Sequence, residues 1–162
     1  MSPEWRQLEP DVRRRITDLQ DAAPVRLPDL ARELGVAVKA STLPPGIAGE
    51  IRPDGRGGYV IRVNRHDPPK RQRFTVAHEL AHFLLHRDHI ENGIEDDVLY
   101  RSNLSDRREQ QANRLAADLL MPGHLLEEAR ASAEEKGVGD IGLYLAEMFL
   151  VSEAAMRIKL DQ

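Results

Sequence analysis

The sequence predicts an α+β fold in which helices flank a small antiparallel sheet, and three observations carry that prediction. Apolar residues recur at helical spacing towards both ends of the chain. Between them, IAGEIR and GYVIRVN carry β-branched residues on either side of the turn-rich linker PDGRGG. Two longer helical segments, Arg71 to His86 and Ser105 to Leu120, then follow the strands in place of alternating with them. At 162 residues the chain suits one domain, divided into an N-terminal helical extension (1–24), a core (25–122) and C-terminal helices (123–162).

Taken in order, Pro10 is suited to a first helical position, and Val12, Ile16 and Leu19 share one face before the break at Ala22-Ala23-Pro24. Pro28 and Asp29 open a second short helix with an apolar stripe of Leu30, Ala31 and Leu34, which Gly35 can end in a left-handed conformation. VAVKAS then alternates with period two. After the Pro44-Pro45-Gly46 turn the two strands form the economical hairpin, and Asp67-Pro68-Pro69-Lys70 stops the second one. Asp88 to Ser102 is polar and reads as irregular. Beyond Met121-Pro122-Gly123, helices from about Leu125 are separated by Gly137, Gly139 and Gly142.

Composition narrows the function. No apolar run approaches the ~18 residues of a membrane span, and MSPEWRQLEPDVRRR lacks the apolar core of a secretory signal, so the cytoplasm is the expected compartment. The absence of cysteine excludes disulfides, zinc ribbons and CxxC redox sites, and leaves nitrogen and oxygen as metal ligands. A net charge of −4 argues against a broad nucleic-acid surface. LARELGVAV (Leu30 to Val38) and LAEMFLVSEAAMRIKL (Leu145 to Leu160) have a helix-turn-helix rhythm. The second offers only Arg157 and Lys159 as bases, so direct DNA binding is not expected.

The chemistry concentrates in RFTVAHELAHFLLH. His78, Glu79 and His82 form HExxH, and on a helix positions i and i+4 share a face, so both imidazoles can point at one divalent ion, for which zinc is well suited. Glu79, ~100° around the helix, lies beside that ion and can take a proton from an activated water. His86 keeps the four-residue spacing, but it stands ~12 Å along the axis from His78, whereas zinc ligands lie ~2.0 to 2.2 Å from the ion. It reads as a helix-end residue or a hydrogen-bonding neighbour of the site. His66, His89 and His124 have no ligand spacing. For a third ligand the best candidate is Glu109 in SDRREQQANRLAADLLMP, although spacing alone favours, by a little, an ordinary exposed acid among arginines. Asn113, four residues on, could accept the Nδ1 hydrogen of a ligand histidine. Tyr100 and His124 are candidate donors to an oxyanion, neither fixed by a motif.

RQRFTVAHELAHFLLH followed by EQQANRLAADLLMP resembles the ImmA/IrrE family of metallopeptidases over about Leu27 to Pro122, with Leu115 where a phenylalanine is frequent. The resemblance implies a zincin-like core with two metal-binding helices, zinc held by His78, His82 and Glu109, and a catalytic Glu79. It also implies a site-specific endopeptidase whose protein substrate is a helix-turn-helix (Xre-type) repressor encoded nearby. The alternatives are a non-proteolytic regulatory partner of such a repressor, or the toxin of a toxin–antitoxin pair.

Overall fold

The computed structural model describes residues 1–97 and 104–162. Along the chain run α1 (Pro3–Gln7), α2 (Pro10–Asp18), α3 (Leu27–Glu33), β1 (Val36–Ser41), β2 (Ile47–Pro53), β3 (Tyr59–Asn64), α4 (Pro69–Leu85), a 3-10 turn (Arg87–His89), β4 (Ile94–Asp97), α5 (Asp106–Leu120), α6 (Gly123–Glu135), α7 (Ile141–Phe149) and α8 (Glu153–Leu160). This is the α+β plan the sequence predicts. The first four helices each carry proline in the first turn, where its missing N–H costs nothing. Among the described residues, no helix is long and apolar enough to cross a membrane.

The sheet has the order β1-β3-β2-β4 and is mixed, not purely antiparallel as the sequence reading has it. The hairpin forms, with Ile51 opposite Ile61, and β4 adds antiparallel to the far side of β2. β1, however, pairs parallel with β3, Val36 opposite Tyr59. The reason is the connection: residues 42–46 carry the chain across the end of β3, a gap of about 10 Å between next-nearest strands that five residues span easily. Two other expectations give way. Ile94–Asp97, inside the stretch read as irregular, is strand β4. LARELGVAV is helix, turn and strand, since Gly35 at φ +80° leads into β1 and not into a second helix.

Helix α4 lies on one face of the sheet. Ile51, Ile61 and Val63 from the strands and Ala77, Leu80 and Ala81 from α4 are buried in one core with Leu115, Ala116 and Leu119 of α5. Tyr59 of β3 meets Phe83 of α4 edge-on at 5.1 Å, and Arg87 lies 4.0 Å from the centre of the Phe83 ring. At Gly49 of β2 the approach is closest: an added Cβ would stand 2.5 Å from Thr75 Cγ2 and 3.0 Å from the Arg62 carbonyl. Glycine there lets α4 settle onto the strand.

The ends of the described chain meet at α5. Asp118, fully buried, accepts from Ser2 N at 3.0 Å and pairs with Lys159 of α8, while Gln20 Nε2 donates to the carbonyls of Asp118 and Leu119. Gly142 lies within the first turn of α7, which Asp140 caps, instead of separating helices, and an added Cβ there would be 2.7 Å from Arg157 Nη1. The break between α7 and α8 falls at Leu150, which adopts φ 54°, ψ 49°.

Candidate metal centre

Helices α4 and α5 and strand β4 deliver four potential ligands to one buried point. His78, His82 and Asp96 have no measurable exposure, and Glu109 is 7% exposed. One ligand atom from each residue lies within 4.8 Å of every other. The Nε2 atoms of His78 and His82 are 3.1 Å apart, Glu109 reaches them at 3.4 and 2.8 Å, and Asp96 Oδ2 stands 3.4 and 3.6 Å away. The sequence supplies three of these residues from helices whose positions are set locally. Ser105 caps α5 by accepting from Arg108 N at 3.4 Å, which fixes the first turn carrying Glu109.

Hydrogen bonds set the ring tautomers. Asn113 Oδ1 lies 2.8 Å from His78 Nδ1, so this nitrogen carries a hydrogen and Nε2 is the one turned towards the cluster. For His82 the same task is shared in a relay: Nδ1 donates to His86 Nδ1 at 2.9 Å, and His86 Nε2 donates to Gln111 Oε1 at 3.0 Å. His86 therefore fills both roles the sequence leaves it, as the residue that ends α4 and as a hydrogen-bonding neighbour of the site. Both imidazoles turn their Nε2 atoms to the same space, the arrangement a metal ligand needs once those nitrogens give up their protons in favour of the ion.

Electrostatics mark the same space as one that draws positive charge, a proton or a cation. Burial pulls the His78 pKa down, but the Asp96 and Glu109 carboxylates beside it outweigh this and lift it to about 9. Burial pushes Glu109 up, yet the two histidines hold it below the ordinary carboxylate range. Glu79, completely buried, is raised well above it by burial first and by Asp96 and Glu109 next. Neither oxygen of Glu79 or of Asp96 has a hydrogen-bond donor among the described residues. Carboxylates buried without donors cost several kcal/mol each unless a cation compensates them. The donor set of two imidazoles and carboxylates, without sulfur, suits a divalent ion such as zinc.

Over residues 31–161 the sequence matches the family described as IrrE N-terminal-like domain, Peptidase M78. The chain belongs to the Peptidase M78 family. A relative, the radiation response metalloprotease IrrE of Deinococcus deserti, is 40% identical over 77 residues, covering 43% of this chain and 25% of its own length. A solved transcriptional regulator of Mycobacterium tuberculosis shares the fold, with a TM-score of 0.61 at 21% identity over 94% of this chain and 46% of its own. The chain thus spans about a quarter and about half, respectively, of the lengths of these two proteins.

Within this Peptidase M78 chain the structure brings His78, Glu79, His82, Glu109 and Asn113 together. It adds Asp96, which the sequence reading passed over. A signal was present: in Ile94-Glu95-Asp96, Asp96 shares the buried face of Ile94 while Glu95 points out, and an acid on the buried side of a strand is unusual. The structure gives His124 a role in the fold, its Nε2 bonding the Gln20 carbonyl at 2.8 Å. Tyr100 lies outside the described residues.

Proposed function

We propose that the chain is a zinc-dependent endopeptidase in which His78, His82 and Glu109 hold the ion and Glu79 is the general base. The observation that carries this reading is the pair of Nε2 atoms, 3.1 Å apart, converging on buried carboxylates. When bound, zinc supplies an acidified water and polarises the peptide carbonyl. Glu79 accepts the proton of the attacking water and passes it to the leaving amine. A cation nearby also lowers the pKa of Glu79, converting it from a buried acid into a base. Asn113 holds the ring of His78, and the His86–Gln111 pair holds that of His82. The likeness to a named metalloprotease supports peptide hydrolysis. The resemblance to the ImmA/IrrE family supports a cytoplasmic helix-turn-helix repressor as the protein substrate.

Elemental analysis of purified protein should find about one zinc per chain. Glu79→Gln should keep that metal and lower cleavage of the repressor by about 10²- to 10⁴-fold, read from the repressor's mass after incubation. Cleavage undiminished by this substitution would sink the mechanism. One observation favours the second reading, a regulatory partner that does not cut: the reactive side chains are buried. An intact repressor recovered in a stable complex is its signature.

A further inference from the structure

A metallopeptidase needs three protein ligands and an open position for water. Four donors converge here. In a tetrahedral site with bonds of ~2.0 to 2.2 Å the ligand atoms stand roughly 3.3 to 3.6 Å from one another. Asp96 Oδ2 meets that spacing against both histidines, at 3.4 and 3.6 Å. It is fully buried, neither oxygen has a hydrogen-bond partner that meets strict geometry among the described residues, and its neighbours are the two imidazoles and Glu79 of the cluster itself.

We propose that Asp96 is a fourth metal ligand that occupies the water position and holds the peptidase latched. The inference rests on the metallopeptidase reading above and adds a resting state to it. Its carrier is suited to release. β4 is an edge strand of four residues, paired only with β2 among the described strands. Asp96 pairs there with Gly49, at the point where the register shifts between Ile47 and Gly49. A small displacement of this strand end withdraws the carboxylate while the two helices keep His78, His82 and Glu109 in place.

The test uses cobalt in place of zinc on the full chain, with Asp96→Asn as an isosteric variant and Asp96→Ala as the full removal. Both are checked for native circular dichroism. The expected wild-type visible spectrum is that of a four-coordinate ion and is unmoved by azide. In both variants azide should shift the spectrum, and cobalt affinity, measured by chelator competition, should fall by roughly tenfold or more. Repressor cleavage should rise in Asp96→Ala. A wild-type spectrum that already responds to azide, or an affinity unchanged by Asp96→Ala, overturns the latch. His78→Ala separates this from failure of the underlying reading: cobalt that binds equally without His78, or binds no variant at all, overturns the metal site itself.

Discussion

His82 and His86 share one hydrogen, and the direction in which it points decides whether His82 can serve a metal. With Gln111 accepting from His86, the relay places a hydrogen on His82 Nδ1 and leaves Nε2 as the atom to bind an ion. Asn113 does the same for His78 in one step. Asn113→Ala and Gln111→Ala should each weaken zinc binding about 10- to 100-fold, by chelator competition, with little change in melting temperature. Loss of stability with unchanged affinity would make these residues packing groups only. HExxH is legible in the sequence because helical spacing converts directly into geometry, whereas Glu109, on a second helix, is a ligand candidate chiefly through the family resemblance. Asp96 and Gln111 are not legible: one reaches the site through strand pairing and the other through a histidine that distance excludes as a ligand.

Elements succeed or fail on what meets them. Proline at N1 and the Ser105 cap are local, so the starts of α2, α3 and α5 follow from sequence. Parallel pairing of β1 with β3 is not local, nor is the approach of Arg157 to Gly142, and both escape a reading of periodicity. The close approach of α4 to β2 gives a test at this scale. Gly49→Ala must displace Thr75, one turn before His78, and should cost about 1–3 kcal/mol in urea unfolding. Leu80→Ala, in the core between sheet and helices, should cost about 2–5 kcal/mol without removing a ligand. As for the helix-turn-helix rhythm of α7 and α8, Arg157 bonds Asp140 and Glu153, and Lys159 pairs with Asp118, so both bases already have carboxylate partners.

Across the whole molecule, α5 gathers both ends of the described chain. Removing the Asp118 carboxylate leaves Lys159, only 9% exposed, without its counter-charge, and Asp118→Ala should lose about 3–5 kcal/mol by denaturant titration. The Glu4–Arg114 pair gives the acid response. Arg114 hydrogen bonds, opposing burial, hold Glu4 below its ordinary value of 4.5, so this contribution is present above that value and lost as pH falls through the lower folded one. The gap in stability between wild type and Glu4→Gln should therefore be full at pH 6–7 and shrink below about pH 4. An ion at the buried cluster would have a further property. With His78, His82 and Asp96 fully buried and only an edge of Glu109 exposed, a chelator has little direct access, so metal exchange would keep time with openings of the protein more than with the chelator's concentration.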